Sequence, residues 1–94
     1  MKKRVYIAGP MTGYNNHNRA EFFSIAADLQ DLGYIVLNPA TLPEGLKQSE
    51  YMDICLAMIR AASAIYMLKG YESSKGALTE LAYAEKLELE IIKQ

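Results

Sequence analysis

The sequence predicts a small doubly wound α/β fold, a parallel sheet of four strands, or at most five, with helices on both faces. Two features point there. Short apolar, β-branched runs alternate with stripes of helical period, giving β-α-β-α-β-α-β, and such alternation implies right-handed crossovers between parallel strands. The length of 94 residues also allows one core and no more, so residues 1–94 read as a single domain.

The first strand is Val5-Tyr6-Ile7-Ala8, stopped by Gly9-Pro10 as a buried strand feeding a turn would be. From about Asn18, the residues Phe22, Ile25, Ala26, Leu29 and Leu32 trace a helical stripe that ends at Gly33, a C-terminal helix stop. Tyr34-Ile35-Val36-Leu37 is a continuous apolar run cut off by Asn38-Pro39, a pattern that suits a strand covered on both faces. Beyond a loop carrying Pro39, Pro43 and Gly45, Ser49 can cap a helix to about Ala62, with Met52, Cys55, Met58 and Ile59 on its apolar side. Ala64 to Leu68 is the third strand, Gly70 to Gly76 its loop, and a last helix from Ser74 or Lys75 to about Leu87 leads into a strand over Leu89 to Ile92.

Composition narrows the function. Ten basic and eleven acidic residues nearly cancel, so there is no broad positive field to bind a nucleic-acid polymer through its phosphates. One cysteine, Cys55, cannot form an internal disulfide, and one histidine, His17, has no partners for a metal site. No metal and no cofactor is expected. The N-terminal Met-Lys-Lys-Arg is basic, but Val5–Ala8 is far shorter than the ~7–15 residues of a secretory apolar region, and no stretch approaches the ~20 residues of a membrane span. These features predict a cytoplasmic protein with a small-molecule ligand.

In doubly wound sheets, ligands bind beyond the carboxyl ends of the strands where the strand order reverses. That rule selects Gly9-Pro10-Met11-Thr12-Gly13, Asn38-Pro39 and Gly70 to Gly76. The last loop sets two hydroxyls, a lysine and a glycine before a helix N-terminus, where an anion is favoured; alternatively, Ser73 or Ser74 merely caps the helix and Gly76 eases its entry. Glu80 falls on the apolar side of that helix, and a carboxylate there needs a partner or a cavity, with desolvation tending to raise its pKa. Its alternative is a carboxylate near a helix N-terminus reaching solvent. Tyr6 reads as core with a hydrogen-bonded tip. Arg19 and the cluster Asn15-Asn16-His17-Asn18 can meet a phosphate or sugar, or supply turn and cap chemistry. Asp53 lies opposite the apolar side near Arg60, as an exposed ion pair or solvated charge, and Cys55 reads as a small buried hydrophobe.

Val5-Tyr6-Ile7-Ala8-Gly9-Pro10-Met11, Asn38-Pro39, Glu72-Ser73-Ser74-Lys75-Gly76-Ala77 and Thr79-Glu80-Leu81-Ala82-Tyr83-Ala84 together resemble the nucleoside 2-deoxyribosyltransferase-like superfamily, whose sheet is Rossmann- or flavodoxin-like. The look is that of a short branch found in bacteria and phages. The resemblance implies that Glu80 attacks C1′ of a nucleoside sugar and displaces the base, with Tyr6 orienting it. Transfer to a second base makes a transferase and attack by water an N-glycosidase.

Transferases carry an aspartate six residues before the nucleophile, where this chain has Ser74; the related 2′-deoxynucleoside 5′-phosphate N-hydrolases carry serine there, which implies a phosphorylated ligand. The family's aspartate on the preceding helix aligns with Cys55, and Asp53 would replace it as leaving-group acid only if that helix were shifted or rotated. Longer relatives add a fifth strand and a segment that completes a neighbouring subunit's site. The leading expectation is therefore an N-glycosidic enzyme on a nucleotide or deoxynucleotide, with Glu80, Tyr6 and Asp53 as the catalytic set. Ser73, Ser74 and Gly76 would form a phosphate cradle, Gly9, Pro10, Met11 and Asn38 the sugar and base surroundings, and Arg19 would join them in binding the substrate. Two competing classes are a nucleotide-binding protein that lost turnover and an oligomeric scaffold. At least a homodimer is expected, since a four-stranded sheet leaves apolar helix surface to cover.

Overall fold

The computed structural model describes residues 2–94, so Met1 of the basic N-terminal run lies outside the described residues. Four strands, β1 (Arg4–Ala8), β2 (Ile35–Leu37), β3 (Ala64–Met67) and β4 (Glu90–Lys93), form one sheet in the order β2-β1-β3-β4. All three pairings are parallel, with Tyr6 opposite Leu37 on one side and Ile65 on the other. The doubly wound expectation holds, with four strands.

Three helices cover the sheet: α1 (Arg19–Asp31), α2 (Gln48–Ala61) and α3 (Lys75–Lys86). The two-residue period of the central strands sorts their side chains between two cores. Val5 and Ile7 pack with Phe22, Ile25, Ala26 and Leu29 of α1. Tyr6 and Ala8, with Ile65 and Met67 of β3, pack against Cys55 and Ile59 of α2 and Ala77 and Ala84 of α3. Val5 through Ala8 are wholly buried, as befits a central strand with helices on both sides.

Several boundaries differ from the sequence expectation. Of the run Tyr34–Leu37, Ile35–Leu37 form an edge strand, and Ile35 is 47% exposed because β2 has only β1 for a neighbour. Leu32 closes α1 without joining its stripe and stays 70% exposed, since the chain is already turning through Gly33 at φ +92°. Ser49 does not cap α2: Lys47 holds the cap position, and its backbone N–H donates to Glu50 Oε1 at 2.7 Å. β4 starts one residue late because Leu89 is still tied to α3, its N–H donating to Ala84 O at 3.0 Å past a left-handed Glu88.

Gly9 is required by close approach. The Leu68 N–H donates to Ala8 O at 2.8 Å, extending the β1–β3 ladder past the strand ends. A Cβ at Gly9 would stand 2.7 Å from Leu68 Cβ. Gly9→Ala is expected to destabilise the fold by about 1–3 kcal/mol through overpacking, read as a lowered midpoint in denaturant unfolding at unchanged slope.

Candidate active site

β1 leads through α1 to β2 on one side, and β3 leads through α3 to β4 on the other. The strand order therefore reverses between β1 and β3, and the loops leaving their carboxyl ends diverge and open a crevice. A cavity of about 690 Å³ lies there, walled by the β1 loop, the segment after β2, the start of α2 and the first turns of α3.

Glu80 is brought to this cavity by α3. Ser74 fixes the helix start, its Oγ accepting the Ala77 N–H at 3.1 Å, and the buried positions Ala77, Glu80 and Ala84 follow at helical spacing on the sheet-facing side. Glu80 is 7% exposed and still lines the cavity. From the sheet below, the Tyr6 hydroxyl donates to Glu80 Oε2 at 2.8 Å. The wholly buried strand tyrosine and the helix carboxylate thus form one unit, so Tyr6 belongs to the core and also lines the cavity.

Burial pushes the Glu80 carboxyl up from 4.5 to about 7, with the hydrogen bonds from Tyr6 and Cys55 pulling the other way. Burial, and next the charge of Glu80, hold the Tyr6 phenol well above its ordinary range. Tyr6 therefore stays a proton donor to Glu80. Burial also lifts the Cys55 thiol to about 11. Cys55 is buried, as a small hydrophobe would be, and lines the cavity beside this pair.

The cavity also takes in Gly9, Pro10 and Met11 from the β1 loop and Ser73, Ser74 and Gly76 from the β3 loop. The two serines differ in what they can offer. The Ser73 hydroxyl donates to Gly70 O at 2.9 Å and is spent on its own turn, whereas Ser74 is the helix cap, its oxygen accepting from Ala77. The capping alternative is thus correct for Ser74, and a capping oxygen keeps its own O–H to donate.

Two residues expected at the site lie elsewhere. Asn38 is buried, but its Oδ1 accepts the Ala40 N–H at 2.9 Å and so caps the turn Pro39–Thr41. It borders a separate groove with Phe23, Val36 and Met58; its neighbour Pro39 reaches the cavity instead. Asp53 is exposed and outside the cavity, because α2 keeps the register that turns Cys55 inward. Arg60 donates to Tyr83 Oη at 3.3 Å.

Arg19 does line the cavity. Its Nη1 donates to Glu44 Oε1 at 3.0 Å and to Asn16 Oδ1 at 3.3 Å. The residues before it, Asn16, His17 and Asn18, all take left-handed φ values of 49°, 56° and 62°. Such a run is uncommon outside glycine, is tolerated best by asparagine, and costs on the order of 1 kcal/mol per residue. Glu44 and Tyr51 were missed by sequence reading. Tyr51 donates to Pro43 O at 2.6 Å and accepts from the Leu46 N–H at 3.4 Å, holding the loop that carries Glu44 at the cavity mouth. An i to i+8 contact from a helix back to its own entry loop has no periodic signature.

A family model described as a domain of unknown function (DUF4406) matches residues 3–93. The chain belongs to this family. No curated protein matches the DUF4406 chain. Among solved structures it is similar to one described as a 2-desoxiribosyltransferase from Leishmania mexicana, at 24% identity and a TM-score of 0.78. The alignment covers 97% of this chain and 63% of that one. The fold of this DUF4406 domain is thus deoxyribosyltransferase-like. Among the described residues, no helix is long and apolar enough to cross a membrane.

Proposed function

We propose that this protein cleaves or transfers the N-glycosidic bond of a nucleotide or deoxynucleotide, with Glu80 as the nucleophile, as a short branch of the deoxyribosyltransferase-like superfamily. One observation carries the reading: a buried carboxylate, held by the Tyr6 hydroxyl at 2.8 Å, lines a ligand-sized cavity where the strand order reverses. A carboxylate out of water is costly, and its retention beside a cavity is what covalent glycosyl chemistry uses.

In this reading the ionised Glu80 carboxylate attacks C1′ and forms an ester bond to the sugar. The C1′–N bond breaks, its electron pair leaving with the base, which takes up a proton from water admitted through the cavity. Water, or a second base, then attacks C1′ from the opposite face, gives its proton to the hydroxide left by the first step, and frees the carboxylate, with net retention of configuration. Tyr6 holds the carboxylate in place throughout. Gly9, Pro10 and Met11 stand beside the sugar and base, and Ser74 with the N-terminus of α3 offers a place for phosphate.

A second reading is a nucleotide-binding protein without turnover, favoured by one observation: among the described residues, the side chain lining the cavity beside the Glu80–Tyr6 pair from α2 is a thiol, Cys55, while Asp53 lies outside and Glu44 stands at the mouth. Incubation with a panel of nucleoside monophosphates separates the two. Release of free base by the wild-type protein is the expected result; tight binding of an intact nucleotide by calorimetry, with no free base, would establish the binder.

A further inference from the structure

The cavity mouth holds a charge arrangement that the glycosidic chemistry does not use. Arg19, at the head of α1, has a side chain 23% exposed, and it lines the cavity together with His17 and Glu44. Its Nη1 lies 3.0 Å from Glu44 Oε1, and His17 Nε2 stands 4.0 Å from the same oxygen. One carboxylate oxygen therefore faces both an arginine and an imidazole at the edge of a ligand-sized space. Glu44 itself is 67% exposed and comes from the loop between β2 and α2. Among the described residues, only the Nη1 of the Arg19 guanidinium makes a protein hydrogen bond, which leaves the rest of its planar donor edge unused.

We infer that Arg19 and His17 form a seat for a phosphate group of the ligand, and that Glu44 occupies this seat in the free protein as an internal competitor. The inference rests on the nucleotide reading above, moves the phosphate from the Ser74 rim to this seat, and names what must move to admit it. Phosphate suits the seat because a guanidinium binds it through two parallel N–H donors, and charge-assisted bonds of this kind are the strong ones. An uncharged sugar or base edge has no negative charge to take the place of the Glu44 carboxylate. The carboxylate can be displaced because an ion pair with so exposed a partner is weak and screened by salt.

The seat is also built rather than incidental. The left-handed run at Asn16–Asn18 places His17 and Arg19 side by side at the mouth. Asn18 Nδ2 ties that run to Pro10 O at 3.0 Å, and the His17 N–H ties it to Tyr14 O at 3.0 Å. The opposite rim, with Ser74 and Lys75 at the start of α3, is the rival place for a phosphate, and the test distinguishes the two.

Calorimetric titration with a nucleoside 5′-monophosphate, the matching nucleoside and inorganic pyrophosphate, at low and high salt, reads the seat directly. In Glu44→Gln, removal of the competitor is expected to raise monophosphate affinity roughly threefold to tenfold, and to leave the nucleoside unchanged. In Arg19→Met, monophosphate affinity is expected to fall by about tenfold or more, again with the nucleoside unchanged. Thermal unfolding of both variants checks that each is folded, and because Glu44 is exposed, Glu44→Gln keeps the test decisive if Arg19→Met is not. Monophosphate affinity unmoved in Glu44→Gln overturns the competitor; monophosphate affinity unmoved in Arg19→Met favours the Ser74 rim and overturns the seat, and equal losses for nucleoside and monophosphate in Arg19→Met make Arg19 a wall of the cavity and overturn it too. If no nucleoside compound binds, the nucleotide reading fails; pyrophosphate then decides the seat alone, and pyrophosphate binding that is absent or insensitive to Arg19→Met overturns it. Binding that follows the expected pattern without base release upholds the seat while the glycosidic reading fails.

Discussion

Glu80→Gln is expected to lower base release by on the order of 10³-fold or more, with nucleotide binding largely kept, because a nucleophile is used only in the transition state. The replacement isolates the chemistry. Glutamine keeps an acceptor for the Tyr6 hydroxyl and nearly the same volume, so the cavity should stay intact, but an amide oxygen is a far poorer nucleophile than a carboxylate. In the proposed reaction the nucleophile must be ionised, and burial holds Glu80 at about 7. The kcat/KM profile should therefore rise with pH through about 7 on its acid limb, well above where an ordinary carboxylate would place it. Equal base release by Glu80→Gln and wild type, or an acid limb at an ordinary carboxylate position, would remove Glu80 from the mechanism.

What the sequence made legible was whatever depends on period. The alternation of apolar runs and helical stripes determines the strand order class, and the inward position of Glu80 follows from its spacing to Ala77 and Ala84 on α3. The pairing of Tyr6 with Glu80 came through the resemblance, not from periodicity, because its partners are 74 residues apart and meet only when β1 and α3 pack. Edge effects were illegible for a related reason. Tyr34–Leu37 has the composition of a covered strand, and only its place beside a single neighbour leaves Ile35 open.

Side chains on turns were the hardest to assign. Asn38 was assigned to the ligand and instead satisfies Ala40, since an asparagine before a proline serves a turn as readily as a site. The outward position of Asp53 was read correctly from the helical wheel; its catalytic role required a rotation of α2 that Cys55 and Ile59, buried against Tyr6 and Ile65, do not permit. Glu44 carried no signal at all, because its place at the mouth depends on a loop that Tyr51 ties down from within α2.

The second large effect is on stability, and it follows from the same carboxyl. Glu80 is raised from 4.5 to about 7 in the folded chain, so the folded state holds a proton that the unfolded chain gives up more readily. That contribution is fully present below about pH 4.5 and is lost as pH rises through about 7. The difference corresponds to about 3 kcal/mol once both states are ionised. Glu80→Gln cannot titrate. Groups shared by the two proteins cancel in their difference, so the mutant should gain on the wild type as pH increases, by up to about 3 kcal/mol between pH 5 and pH 8. Urea unfolding of both proteins across that range measures the gap directly. A gap that stays constant with pH would mean that the folded chain holds Glu80 with an ordinary carboxylate affinity for protons, exposed to water and unlike the buried group described above. A gap that widens with pH would show that the fold holds a charge at neutral pH that its own stability opposes, as expected of a residue kept for chemistry.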